Sequence, residues 1–238
     1  MGLLALAIAP GIAICIFIYW KDKYKREPLG LLLGSFILGM LSTIPAIILE
    51  LIFGKPFGEL TGMSIAKVGL FAFAVVALSE ELCKYVVVRY FAFKRQAFDD
   101  PFDGIVYAVM VGMGFATLEN IGYVYQHGMA TGILRMFLSV PAHGTFAVLM
   151  GYHIGLAKFD PANRKKHLFY AIFWPVLFHG TFDFFLLKAG TILHIAGALA
   201  SFFIAIKLSR KAIKKKLLLS ESYAQGVDSF AGKDHSLL

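Results

Sequence analysis

Apolar residues in this chain fall into long, nearly unbroken runs. They show neither the alternation of a half-buried strand nor the narrow stripe of a surface helix. Seven blocks stand out, at 2–20, 29–53, 68–93, 104–125, 133–157, 168–187 and 189–206. A helix rises ~1.5 Å per residue, and crossing a bilayer core takes about 20 residues. The pattern therefore predicts an all-α, polytopic membrane helical bundle of about seven transmembrane helices, the last of them short. A transmembrane barrel would need alternating strands of roughly 10 residues, and these runs do not alternate. The connections, such as "QHGMATG" and "FDPANRKKH", are turn-like and too short to fold alone. The expected organisation is one membrane domain over 1–207. A basic tail over 208–238 then starts as an amphipathic stretch and becomes polar and disordered.

Composition agrees: 58% of the 238 residues are hydrophobic and only 16% are charged. The net charge of +8 could suggest nucleic acid, but its distribution argues otherwise. Alternate connections hold Lys21, Lys23, Lys25 and Arg26, then Arg89, Lys94 and Arg95, then Lys158, Arg164, Lys165 and Lys166. Seven more lie between Lys207 and Lys233, making 18 of the 23 basic residues. The other set of connections holds only Lys55, Lys67, Arg135 and Lys188. Positive charge marks the cytoplasmic side, which places the N-terminus outside and the C-terminus in the cytoplasm of a multi-pass cell-membrane protein. The basic excess is a topological device that meets anionic lipid heads, and nucleic acid is not an expected partner. No basic residue precedes the first apolar run, so a retained helix is expected there rather than a cleaved signal peptide. Cys15 and Cys83 lie in separate blocks and form neither a disulfide framework nor a paired CxxC zinc signature.

Ionisable residues interrupt the blocks, among them Glu80, Glu81, Lys84, Glu119, His143, His179 and Asp183. A charge near mid-membrane costs roughly 2.5–3.5 kcal/mol on insertion scales, so such residues gather in a shared polar interior. Helical spacing supports convergence. Glu80 and Lys84 are i, i+4, and Glu81 reaches Lys84 at i+3. One ammonium cannot neutralise two carboxylates, so the pair offers a base and an acid in one place. Phe115 shares a face with Glu119, and Asp183 stands one turn beyond His179, where it can fix the imidazole tautomer. Counted from the cytoplasmic ends, the depths of His179, Glu80, His143 and Glu119 agree to within about 6 Å, at ~1.5 Å per residue.

Both histidines sit in an "HGTF" sequence with a proline upstream, Pro141 or Pro175. A proline inside a helix removes a hydrogen bond and bends it. Gly144 and Gly180 leave bare surface where another helix or a peptide can approach. A wet notch beside each imidazole is the expectation. Structural readings compete with these: an ion pair that only fixes packing, polar glue between helices, or hydrogen-bonded core histidines. They leave the surplus carboxylate unexplained. "DDPFD" at 99–103 reads as a helix start, with Asp100 as N-cap and Pro101 at N1. His127, His153, His194 and Cys83 fall at helix ends, in a loop or among apolar neighbours and are expected to be structural. Gly112 and Gly114 are expected to be packing contacts.

"EELCK" at 80–84, "DPFDGIVYAVMVGMGFATLENIGY" at 100–123, "AHGTF" around His143 and "HGTFD" at 179–183 together resemble the motifs of the PrsW family of intramembrane proteases. That family is distantly related to the CAAX prenyl endopeptidases of the Rce type. The resemblance covers roughly 79–183. It implies hydrolysis of a peptide bond in or near the membrane, typically in a single-span regulator such as an anti-sigma factor. It would give catalytic roles to Glu80, Glu81, Glu119, His143 and His179, with Asp183 orienting His179.

Two mechanisms use the same residues. In one, His143, His179 and Glu119 bind Zn²⁺ and leave one position open, while Glu80 or Glu81 takes a proton from water. In the other, Glu80 or Glu81 with His143 activates water without metal, and His179 donates to the oxyanion. Two histidines with several carboxylates tilt the reading toward metal. A proton- or cation-coupled membrane carrier would also place acids and histidines in the membrane, but inverted repeats are not evident.

Overall fold

The computed structural model describes residues 2–58, 62–188 and 191–225, and among these it contains helices and no strand. The helices are α1 (Gly2–Lys21), α2 (Leu29–Gly54), α3 (Ile65–Leu70), α4 (Leu78–Val87), α5 (Asp103–Phe137), α6 (Ser139–Phe159), α7 (Arg164–Leu187) and α8 (Ile192–Ala224). In lipid every backbone polar group must find a partner inside its own segment, so such apolar runs fold as helices. Among the described residues, five helical segments are long and apolar enough to cross a membrane: Gly2–Lys21, Leu29–Phe57, Asp103–Phe159, Arg164–Leu187 and Ile192–Ser222. The chain between Ile65 and Ala92 is also unbroken helix. It is wound as α3, a π-helical stretch Phe71–Ala77, α4, and a second π-helical stretch Val88–Ala92. That run carries Glu80, Glu81 and Lys84, all buried.

α5 and α6 form the centre of the bundle, and almost every residue of 102–117 and 142–157 is buried. Small residues let the backbones meet. A side-chain carbon on Gly104 would collide with the backbone of Gly151 and Gly155, and one on Gly114 with the carbonyl of Phe36 in α2. One on Gly112 would stand 2.7 Å from Ala147 Cβ, as the packing expectation for Gly112 and Gly114 requires. α1 and α2 pack on one side of α5, while α7 and α8 pack on α6.

Two local expectations need correction. The block at 133–157 is not continuous: the backbone turns at Leu138 (φ −117°, ψ −68°), and α6 begins at Ser139. Pro141 therefore stands in the first turn of α6, where no N–H is missed, and of the two prolines upstream of the histidines Pro175 alone lies in a helix interior. α5 starts at Asp103 rather than at Pro101. Asp100 still accepts from the Phe102 N–H at 2.7 Å, but the carboxylate of Asp103 reaches back to the N–H groups of Asp99 and Asp100. α8 itself runs through the amphipathic start of the expected tail to Ala224, with Ala212, Lys216, Leu219 and Ser220 buried. The remainder of the expected tail, 226–238, lies outside the described residues.

Gly128 shapes the site. It has φ +77° and ψ −163°, a backbone that suits glycine, and it interrupts α5. The chain reverses there, so 129–137 runs back alongside the helix it has just left. A straight helix would hold Arg135 about 24 Å beyond Glu119, at ~1.5 Å per residue. The two side chains are instead 3.0 Å apart.

Candidate active site

Four separate elements deliver ionisable side chains to one place. α4 presents Glu80, Glu81 and Lys84 on neighbouring faces of one turn. The Lys84 ammonium lies 3.0 Å from Glu80 Oε2 and 2.7 Å from Glu81 Oε1. It also lies 3.2 Å from His143 Nδ1, in the second turn of α6, and over the ring of Phe115 at 4.1 Å. From α7, His179 sets Nδ1 2.9 Å from Glu81 Oε1 and Nε2 3.1 Å from Asp183 Oδ2. From α5, Glu119 Oε2 meets His143 Nε2 at 2.9 Å. The two imidazoles stand edge to face with centroids 5.1 Å apart, and Phe146 stacks on His179 at 5.0 Å. Glu80 lies between the histidines, with Oε2 4.0 Å from His143 Nδ1 and from His179 Nε2.

All six residues expected from the sequence, Glu80, Glu81, Glu119, His143, His179 and Asp183, therefore belong to one connected cluster, with Lys84 at its centre. Glu80, Glu81, His143 and His179 are buried, while the side chains of Glu119 and Asp183 keep 17% and 20% of their surface exposed. The cluster thus opens on two sides, at Glu119 and at Asp183.

One oxygen from each of Glu80 and Glu81 and one nitrogen from each of His143 and His179 lie within 4.8 Å of one another. Two imidazoles and two carboxylates are a donor set suited to a zinc-type ion. Glu81 Oε2 is buried and has no hydrogen-bond partner, as expected of an oxygen reserved for a cation. The residues present fit a metal in this respect. Lys84 contacts three of the four, so an ion and the ammonium compete for Glu80, Glu81 and His143. Glu119, expected as a metal ligand, is not in this group of four. It approaches His143 from Nε2, the nitrogen opposite the one that faces Lys84.

The wet notch expected beside His179 is filled: the ring of Phe73, from the π-helical stretch before α4, lies against Gly180. The threonines of both HGTF sequences bond their own helices, Thr145 to the carbonyl of Ala142 and Thr181 to that of Leu177.

Two residues of the cluster's surroundings escape a reading of the sequence. Arg135 looked like one of the few basic residues of an outer connection. It lies 3.0 Å from Glu119, donates to Asn120 Oδ1 at 2.9 Å, and covers the Tyr123 ring at 3.9 Å. Glu50, in the last turns of α2, interacts electrostatically with Glu80, Glu119, His179 and Lys84. The available signal for Glu50 was an acid inside an apolar block. For Arg135 it was the glycine at 128, which allows the reversal. Asn120 in turn donates to the carbonyl of Ala7 at 3.1 Å and, at 3.5 Å, to that of Leu6. Leu6 is the residue whose carbonyl loses its helical donor to Pro10. A chain of contacts therefore runs from α1 through Asn120, Arg135 and Glu119 to His143.

A sequence model described as PrsW family intramembrane metalloprotease matches residues 27–208. Curated relatives called "Protease PrsW" are similar over most of their length. That of Geobacillus kaustophilus is 38% identical over 186 residues, covering 78% of this chain and 80% of that protein. That of Bacillus subtilis is 35% identical over 190 residues, covering 78% and 83%. That of Clostridioides difficile is 36% identical over 193 residues, covering 79% and 80%. No solved structure matches the chain.

Proposed function

Since the chain belongs to the PrsW family of intramembrane metalloproteases and is a multi-pass membrane hydrolase, we propose that it cuts a peptide bond in or near the membrane-spanning part of a single-span regulatory protein, such as an anti-sigma factor, with a carboxylate-activated water. The observation that carries this reading is the convergence of Glu80, Glu81, His143 and His179 within 4.8 Å. Costly acids and imidazoles from three helices have no reason to meet in lipid unless they act together.

Glu80 is the general base. It makes one bond, to Lys84, and stands between both histidines, so its remaining lone pairs are free to take a proton from water. As water adds to the carbonyl carbon, the proton lost to Glu80 must reach the amine nitrogen before the C–N bond breaks. Glu80, 4.0 Å from both imidazoles, holds that proton and delivers it to the leaving nitrogen, while Asp183 fixes the His179 ring from Nε2. Glu119 lies 2.9 Å from His143 Nε2 and favours the proton there, which leaves Nδ1 directed into the cluster. Glu81, His143 and His179 would hold the metal ion, with Glu119 orienting His143 from behind. When bound, such an ion supplies Lewis acidity toward water and the carbonyl oxygen.

The proposed topology has seven crossings. α1, α2, the run from Ile65 to Ala92, the first limb of α5, α6, α7 and α8 each cross once, with the N-terminus outside and the C-terminus in the cytoplasm. The distribution of lysine and arginine supports it.

The test is cleavage of candidate single-span substrates by the full chain in proteoliposomes, with the cut located by mass spectrometry. Glu80→Gln, Glu81→Gln and His179→Ala should each abolish cleavage while the protein still accumulates in the membrane. Continued cleavage by all three variants would remove the assignment. Reporter fusions at the connections check the topology, and a cytoplasmic signal from the N-terminus would reverse it.

A further inference from the structure

The "DDPFD" sequence at 99–103 has no part in the chemistry above, yet it closes on a second group of acids at the other end of α5. Glu27, in the connection between α1 and α2, meets Asp99 and Asp103, and one oxygen from each of the three lies within 4.8 Å of the others. Glu27 and Asp103 are 4% and 0% exposed. An acidic patch on a surface would be unremarkable, but two of these acids are inside the protein.

The hydrogen bonds of the trio leave it incomplete. Asp103 Oδ2 accepts from the backbone N–H groups of Asp99 at 2.9 Å and Asp100 at 2.7 Å. Its second oxygen, Oδ1, is buried with no hydrogen-bond partner, and so is Asp99 Oδ1. Tyr107 donates its hydroxyl to Glu27. Lys25 pairs with Asp99 at 2.7 Å from the outside, but among the described residues no basic side chain pairs with Glu27 or Asp103. Asp22 and Asp100 add two more buried carboxylates nearby, the first accepting from the Glu27 N–H and the second from Ser220 of α8. Lys158 and Lys216 also act on Asp103 from further off, and carboxyl oxygens as close as those of Glu27 and Asp103 are held together by a shared proton or by a cation between them.

We propose that Glu27, Asp99 and Asp103 hold one hard divalent cation of the Mg²⁺ class, which clamps the connection between α1 and α2 to the start of α5. All-oxygen, anionic ligands select Mg²⁺, Mn²⁺ or Ca²⁺ over the softer ions that imidazole attracts. Mg²⁺ binds through a few carboxylates and keeps several waters. The Asp99 side chain is 40% exposed, so the group opens to solvent on that side. The site is separate from the intramembrane cluster: Asp103 and Glu119 lie about 24 Å apart along α5, at ~1.5 Å per residue. Its ligand chemistry also differs, with no nitrogen donor.

The experiment uses the full chain, purified in detergent and washed with chelator. Mg²⁺ should raise the thermal midpoint of the wild type and, equally, of His179→Ala, which leaves the acidic trio intact. Mn²⁺, followed by electron paramagnetic resonance, should bind at a site from which Mg²⁺ displaces it. Asp99→Asn should weaken that binding by about tenfold or more, since affinity follows ligand charge, and Glu27→Gln should remove it. Absence of any Mg²⁺-displaceable Mn²⁺ in the wild type would overturn the proposal. So would undiminished affinity in Asp99→Asn, a half-exposed change that the fold tolerates even if Glu27→Gln fails to accumulate. Loss of the Mg²⁺ effect in His179→Ala would assign the ion to the intramembrane cluster and overturn it as well.

Discussion

Arg135 Nη2 lies 3.0 Å from Glu119 Oε2 although both belong to α5, because the chain reverses between them at Gly128. Glu119 in turn holds His143 Nε2. In the mechanism proposed above, Arg135 would position an imidazole it does not touch. Arg135→Gln should lower kcat by about tenfold, equivalent to ~1.4 kcal/mol, and leave KM nearly unchanged. Arg135→Lys should restore part of the loss. Steady-state cleavage of a reporter substrate measures both, and an unchanged kcat would make Arg135 merely structural.

The two adjacent glutamates should separate by readout. Glu81 is fully buried and has an orphaned oxygen, whereas Glu80 stands between the histidines. Glu81→Gln is expected to lose bound metal along with activity. Glu80→Gln is expected to keep the metal while cleavage falls by about 10²–10⁴-fold, the usual contribution of a general base. Elemental analysis beside a cleavage assay tests the division, and metal loss in Glu80→Gln but not Glu81→Gln would exchange the two roles.

Lys84 neutralises the cluster from within. Removing one member of a buried ion pair strands the other charges and costs about 3–5 kcal/mol. Lys84→Met should therefore lower the thermal midpoint sharply, and adding Glu80→Gln should recover part of the loss. A Lys84→Met protein as stable as the wild type would mean that another cation already balances Glu80 and Glu81.

The crossing of α2 and α5 depends on Gly114, whose missing side chain admits the carbonyl of Phe36. Gly114→Ala forces backbone apart rather than a flexible side chain. It should destabilise by about 1–3 kcal/mol, the usual cost of overpacking. Gly122, which has nothing within 4 Å of the same position, is the control. Equal thermal midpoints for the two alanine variants would contradict the packing described.

Asp160 joins α6 to α7, outside the spans. Hydrogen bonds from Asn163, with His167 alongside, hold its carboxyl below the usual carboxylate range. A depressed folded value means that the stabilisation is present above the unfolded value, near 3.8. It is lost as pH falls through the lower folded value. The difference in thermal midpoint between wild type and Asp160→Asn should be constant at neutral pH, shrink as pH falls below about 3.8 and vanish below the lower folded value. A difference that persists in acid would exclude the carboxylate as its source.

Much of the bundle was legible because lipid removes choices: an apolar run can only be a helix, and an acid within it must find company. Glu80, Glu81, Glu119, His143, His179 and Asp183 could be singled out for that reason. What spacing could not convey was the path of the chain between blocks. The break at Leu138 divides the expected block 133–157, and with the turn at Gly128, inside the expected connection, it carries Arg135 back to Glu119. Helical periodicity extrapolates along an axis and is blind to a change of axis. The grouping of Glu80 and Glu81 with both histidines was not legible for a similar reason: Glu119 is as acidic as Glu81, and only the face from which each meets an imidazole tells them apart.

Asn120 offers its amide to α1 and its carbonyl oxygen to Arg135, so it ties α1 to the side chain that meets Glu119. The carbonyls of Leu6 and Ala7 gain this donor from a residue more than a hundred positions along the chain. α1 is thereby linked to the acidic and imidazole groups of the bundle without contributing a side chain to them.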